Sequence, residues 1–371
     1  MRYAFLSLTA VLLILSLTIP SFAIDCASES YDVSIIETYS DLDTCDITLH
    51  STEYISGLKL DVHMEHEGSI LDRKTFTIDN IAPGSDITKA FKWNTDDKGD
   101  GKYTIKSVIS KDGCTIYENA YTFVNGRQTI PRITVDDLVS NSQGFSVMIT
   151  PQEAVLVDVE YMLMDGSDVI YSGTEKKISI HTQPMEVSKD WNVLLENNME
   201  YSGRVKVKLY SPSVNYIALT EDFTAQDDVF ISDTYEDDIG ASATIDGISQ
   251  VPFTGSVRFT VSKQDDNGET VIESVTKKSP VLLNGDDETV ETIWEERLTT
   301  GVYSLVIEVI GNDGDILDVE ESIIESDYEP AADQGNTTTA DDTEQSPGFL
   351  FPITLAIILI AAFMLSQKRE H

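Results

Sequence analysis

His63, Glu65 and His66 fall within four consecutive residues, and imidazole and carboxylate are groups that hold zinc or move protons. On an extended strand His63 and Glu65 share a face, whereas His66 is one residue out of phase, toward the turn at Gly68. Two groups on one face make an incomplete site, so exposed strand residues are the simpler account. The run Asn94-Thr95-Asp96-Asp97-Lys98-Gly99-Asp100-Gly101 is the better metal candidate. Hard cations take several oxygen ligands from alternating loop positions and need a glycine for the turn, which Asp96, Asp100 and Gly101 partly supply. Calcium is therefore the cation to consider. Lys98 stands where another oxygen belongs and no glutamate closes the loop, so an acidic turn explains the run without metal. Asp227-Asp228 and Glu236-Asp237-Asp238 form a second acidic grouping, readable either as calcium ligands or as plain surface.

Catalytic signatures are otherwise missing. The sequence contains no Gly-x-Ser-x-Gly, no His-Glu-x-x-His and no glycine-rich phosphate loop. No nucleophile stands beside a base, so the expectation is a protein that is not an enzyme and needs no cofactor.

Short alternating strands must carry these residues. From residue 31 to about 324 the pattern has period two, broken by Asp112-Gly113, Asp165-Gly166, Asn267-Gly268, Asn284-Gly285 and Asp313-Gly314. A weak repeat divides it. Trp93, Trp191 and Trp294 precede Tyr103, Tyr201 and Tyr303 by ten, ten and nine residues, and each tyrosine opens an alternating strand. Tyr103, Ile105 and Ile109 share one face; so do Tyr201, Val205, Val207 and Leu209, with Arg204, Lys206 and Lys208 opposite; so do Tyr303, Leu305, Ile307 and Val309. Another strand follows about twenty residues on, at Phe123, Phe223 or Ile323. The tryptophans are 98 and 103 residues apart, a β-sandwich length.

The chain carries 64 Asp and Glu against 25 Lys and Arg, a formal charge of −39. Residues 26–127 hold 18 acids and 10 bases, 128–226 hold 14 and 7, and 227–324 hold 23 and 5. Such a field repels nucleic acid and excludes that class of partner. It suits a solvated surface in salty water.

Both ends point to export. Arg2, an apolar stretch and Ser21-Phe22-Ala23 read as a signal peptide over 1–23 with cleavage after Ala23. Residues 325–347 hold seven acids, no base and the run Asn336-Thr337-Thr338-Thr339, with little to bury, so 326–347 reads as a disordered acidic stalk. Asn336 heads the one glycosylation sequon of the mature chain. Pro347-Gly348-Phe349 then opens seventeen uncharged residues, 349–365, followed by Lys368 and Arg369. As a helix these cover about 25 Å, close to a hydrocarbon core of about 30 Å, so 348–371 reads as a transmembrane segment.

Pro347, Gly348 and Phe349, the apolar span, the basic end and the acidic Thr-rich approach resemble the PGF-CTERM signal of archaeal surface proteins. The resemblance covers about 7% of the chain, residues 346–371. It implies an archaeosortase as partner, removal of the apolar segment and attachment of the mature chain to the membrane through lipid. The upstream repeat resembles tandem Ig-like modules, since a tyrosine just after a corner and before the last strand is a mark of that class. This implies an all-β ectodomain of three tandem Ig-like β-sandwich domains, 24–127, 128–226 and 227–325, carried on the stalk.

Three cysteines, Cys26, Cys45 and Cys114, fall in the first domain, and an exported chain is expected to form a disulfide there. In a seven-stranded sandwich of this order the first and last strands start at one end and the second at the other. That places Cys26 with Cys114 and leaves Cys45 over. The reading is a non-catalytic protein on the outer face of the cell membrane, holding a rod of sandwiches end to end as an envelope or S-layer component. Its partners would be other envelope proteins or glycans. The alternatives are an adhesion module, for which an exposed row among Tyr117, Tyr121, Tyr161, Tyr171, Tyr210 and Tyr216 would speak, and a protease inhibitor or hydrolase accessory, toward which Gly301-Val302-Tyr303 leans.

Overall fold

The computed structural model describes residues 31–95, 99–126, 132–210, 214–265 and 268–330. They form antiparallel strands and no helix. The first seven are β1 (Val33–Ser40), β2 (Thr44–Ser51), β3 (Ile55–His66), β4 (Ser69–Ile81), β5 (Ser85–Lys92), β6 (Gly101–Lys111) and β7 (Cys114–Asn125). The next are β8 (Ile133–Ser140), β9 (Gly144–Pro151), β10 (Val155–Asp165), β11 (Asp168–Ile180), β12 (Met185–Asp190), β13 (Glu200–Leu209) and β14 (Asn215–Thr224). The last are β15 (Val229–Glu236), β16 (Gly240–Gly247), β17 (Ser256–Asp265), β18 (Gly268–Lys278), β19 (Asp287–Ile293), β20 (Gly301–Ile310) and β21 (Ile316–Ser326).

Each set of seven builds one sandwich with its own apolar core. A three-stranded layer (β1-β2-β5, then β12-β9-β8, then β15-β16-β19) faces a four-stranded one (β4-β3-β6-β7, then β11-β10-β13-β14, then β18-β17-β20-β21). The alternation read from the sequence is the one observed. Tyr103, Ile105 and Ile109 on β6, Tyr201, Val205, Val207 and Leu209 on β13, and Tyr303, Leu305, Ile307 and Val309 on β20 all point into their cores.

Tryptophan and tyrosine fasten the same corner in each copy. Trp93, Trp191 and Trp294 follow the fifth strand directly, and their backbone N–H groups bond the carbonyls of Asp43, Gln143 and Ile239 in the first hairpin, all at 2.9 Å. Each indole N–H reaches the same turn, at Ser40 Oγ (2.9 Å), Asn141 O (3.0 Å) and Asp237 O (3.2 Å). The turn itself is an Asx turn. Asp41, Asn141 and Asp237 each accept the N–H groups two and three residues on, at 2.7 to 3.1 Å. The hydroxyls of Tyr103 and Tyr303 donate to the carbonyls of Gly99 and Thr299, four residues back, both at 2.8 Å. Tyr201 instead accepts the N–H of Glu196 at 3.2 Å.

End-to-end stacking, expected from the sequence, does not describe the first two sandwiches. Their layers join in one seven-stranded sheet, β1-β2-β5-β11-β10-β13-β14, through Lys89 opposite Asp168 and a bond from the Ala90 N–H to Ser167 O at 3.0 Å. In a flat sheet β1 and β14 would be about 29 Å apart, at roughly 4.8 Å per strand. Yet the Tyr39 ring on β1 lies 5.5 Å from that of Tyr216 on β14. The sheet therefore folds over between β5 and β11, and the outward face of the first sandwich meets the outward face of the second.

Candidate functional site at the contact between the first two sandwiches

Asp46, Arg204 and Lys206 all point away from their own cores, as period two requires of residues beside Cys45, Ile47, Val205 and Val207. They are nevertheless 1 to 2% exposed, because the two outward faces cover each other. Arg204 Nη2 donates to Asp46 Oδ2 at 2.8 Å, and Lys206 Nζ to Asp46 Oδ1 at 3.0 Å. Lys206 also meets Glu37 Oε1 and Glu160 Oε2, each at 3.0 Å. Arg204 Nη1 bonds Thr220 Oγ1 at 3.2 Å. The Tyr39 ring lies 5.7 Å from both cations and the Tyr216 ring 6.0 Å from Lys206. Around this centre Lys89 pairs with Asp168, and Lys92 with Asp222 at 2.7 Å.

Burial works to lower the Lys206 pKa, but the carboxylates of Asp46, Glu160 and Glu37 outweigh it and hold the ammonium well above its ordinary value. Burial raises Glu160, against the pull of Lys206. The sign follows from linkage. A lysine raised on folding contributes stability that is complete below its unfolded value, about 10.4, and lost as pH climbs through the folded one. Between about pH 7 and 9 the contact should thus be unchanged, and in strong alkali it should open. Energy transfer between dyes on the first and second sandwiches would follow this; opening near neutrality would contradict it.

The contact between the second and third sandwiches is made differently. Val251, in the β16–β17 connection, packs in the core of the second sandwich with Trp191 and Leu195. Gln250 N bonds Ser142 O at 3.0 Å, and Leu195 N bonds Gln250 O at 3.1 Å. Asn197 and Asn198 donate to the Asp313 carboxylate at 3.1 and 2.7 Å. Apolar burial and backbone bonds are little affected by salt, unlike exposed charge pairs. Val251→Ala should cost about 1.5 to 3 kcal/mol. Hydrogen exchange should show the loss in the second sandwich, although the residue lies between strands of the third.

Most of the other sequence candidates have protein partners. His63 Nε2 lies 3.0 Å from Glu65 Oε1, and Lys106 Nζ lies 2.8 Å from Glu65 Oε2. Lys106, with help from His63, holds the Glu65 carboxyl below its usual range and fills a cation's place. The His66 ring stacks on Tyr103 with centroids 4.2 Å apart, over Gly101, where a β-carbon would come within 2.6 Å of the ring. Asp96 lies outside the described residues, and Asp100 places its carboxylate over Gly126. Asp227 accepts the Asn312 N–H at 2.8 Å, and burial pushes its carboxyl up. Asp237 caps its turn, and Asp238 pairs with Arg297 at 2.7 Å. Among the described residues no group of three or more His, Cys, Asp or Glu is placed to hold a metal ion.

Cys45 is a fully buried free thiol, pushed up by burial. Cys114 is disulfide-bonded; Cys26 lies outside the described residues. So do Ala23, Asn336, Pro347, Gly348, Phe349 and the apolar span, and among the described residues no helix is long and apolar enough to cross a membrane. Ser202 Oγ and Lys92 Nζ both donate to the Asp222 carboxylate, at 2.6 and 2.7 Å, beside a groove of about 480 Å³. Of the six tyrosines weighed for an aromatic row, only Tyr210 is exposed; Tyr117, Tyr121, Tyr161 and Tyr171 pack in or against the cores.

No family model and no curated protein matches the sequence. Among solved structures, the tetra-tandem repeat from the extending region of a large adhesion protein superposes at 12% identity and a TM-score of 0.24, covering 79% of this chain and 73% of that one. A DUF4785 family protein from Legionella pneumophila superposes at 9% and 0.29, covering 80% and 90%. Escherichia coli α2-macroglobulin superposes at 12% and 0.21; 84% of this chain is covered, spanning about a quarter of that one.

Proposed function

We propose that the chain is a non-catalytic surface protein of an archaeal envelope, exported by residues 1–23 and carried to the membrane by a PGF-CTERM signal at 346–371. One observation carries this reading: Pro347-Gly348-Phe349, seventeen uncharged residues and a basic end follow an acidic stalk in that order. The ectodomain is read as three Ig-like domains, 24–127, 128–226 and 227–325. The three-on-four layering and the tyrosine bonds at Gly99 and Thr299 support that assignment. In the constant-type Ig arrangement the fourth strand joins the sheet of the first, second and fifth, whereas here β4, β11 and β18 pair with the third strand of their copies.

The mechanism is presentation. Separate cores joined by a buried charge layer and an apolar clasp hold their loops in fixed relation, while the stalk supplies distance from the membrane. A disulfide between Cys26 and Cys114 would brace the first domain, and sugar on Asn336 would guard the stalk. Other envelope proteins or glycans are the proposed partners. Fractionating and imaging the native envelope tests this: an abundant component is expected, and a scarce or cytoplasmic protein would overturn it.

A further inference from the structure

Arg204 and Lys206 form a basic stripe on β13, in a chain of charge −39, and the first sandwich covers it with Asp46 and Glu37. We propose that this stripe is an interaction surface for the first sandwich of a neighbouring copy, and that the contact within one chain is its self-occupied state.

Four observations point this way. Each sandwich has its own core, so the contact can part without unfolding either side. Charge complementarity, with one backbone pairing between β5 and β11 and the Tyr39–Tyr216 ring contact, makes the contact in place of shared core packing, and complementary charge steers partners together. The second and third sandwiches, by contrast, share Val251 in one core and cannot part so cheaply. Arg204 Nε also lacks a hydrogen-bond partner among the described residues, which leaves the buried layer short of full satisfaction.

A first sandwich tethered beside its own second one has an effective concentration of roughly millimolar, so self-occupation wins in dilute solution. Crowding on a membrane raises the competing concentration toward that value. The exchange would then link copies through Asp46 of one and Arg204 and Lys206 of the next. It rests on the surface reading only for where the crowding occurs.

Charge reversal separates the two modes. One variant carries Asp46→Arg, the other Arg204→Glu with Lys206→Glu, both as full-length chain in mild detergent. Neither can close on itself, because like charges face each other. Mixed, the acidic first sandwich of the second variant meets the intact stripe of the first variant, and the reversed pair is complementary too. Native mass spectrometry should show each variant alone as a monomer and the mixture as a 1:1 complex of twice the mass. A mixture that stays monomeric, with hydrogen exchange showing all sandwiches folded, overturns the proposal and leaves the surface reading untouched. Should either variant unfold, donor- and acceptor-labelled wild-type chains are incubated together at about millimolar concentration, comparable to the tethered one, and then diluted. Transfer between chains supports exchange, and its absence contradicts it.

Discussion

Asp46→Ala is expected to detach the first sandwich from the second. The substitution leaves Arg204 and Lys206 facing a covered surface without the carboxylate both of them bond. Breaking a buried pair on one side costs about 3 to 5 kcal/mol, because the remaining charge must be rehydrated or stay unpaired. Here Arg204 is stranded, and the cheapest relief is separation, which returns it to water. Glu37 and Glu160 still face Lys206, but Arg204 has Thr220 as its other bonded partner. Hydrogen exchange should therefore rise along β1, β2 and β13 while the three cores keep their protection. Replacing the centre with apolar residues, Asp46→Leu with Arg204→Leu and Lys206→Met, should restore closure, since well-packed apolar substitutes for buried ion networks are neutral or better. Closed geometry in Asp46→Ala, or open geometry in the apolar triple, would show that the charge layer is not what holds these faces together.

Trp191→Ala should do the reverse, damaging one core first. Trp191 is completely buried, touches the rings of Phe145 and Tyr171, and ties its turn through both N–H groups. Truncating a buried tryptophan costs about 3 to 5 kcal/mol, a large share of the 5 to 15 kcal/mol that holds a typical domain. The second sandwich shares its core with Val251 of the next, so protection should also fall in the β16–β17 connection. The core of the first sandwich should be spared. Equal loss in all three would mean that the chain unfolds as a single unit rather than by sandwiches.

The strands and their buried faces were legible because period two is a local property: a residue's neighbours at two positions either side decide which face it joins. The tyrosine spacing was legible for a related reason, since Tyr103 and Tyr303 bond carbonyls four residues back, whereas the indoles reach a turn 50 to 57 residues earlier. What lies opposite an outward face is not local. Arg204, Lys206 and Lys208 read as the solvent side of β13, and a buried ion layer has the same alternation as a solvated one. One signal was present: bases at three alternate positions of a single strand in a chain with 25 bases and 64 acids. Asp46, the one acidic residue of β2, was the matching half. Val251 reads as part of the third domain because chain order assigns it there, and only packing moves it into the second core. The His63 and Glu65 pairing was visible in the sequence, whereas Lys106, which completes it from β6, was not, because the two strands meet 41 residues apart.

The mass of the mature protein taken from native membranes tests the proposed sorting signal at the end of the chain most directly. A chain starting after Ala23, ending near Pro347 and carrying lipid is the predicted result. An intact span through residues 350–365 would contradict the sorting signal and leave an ordinary membrane-spanning tail.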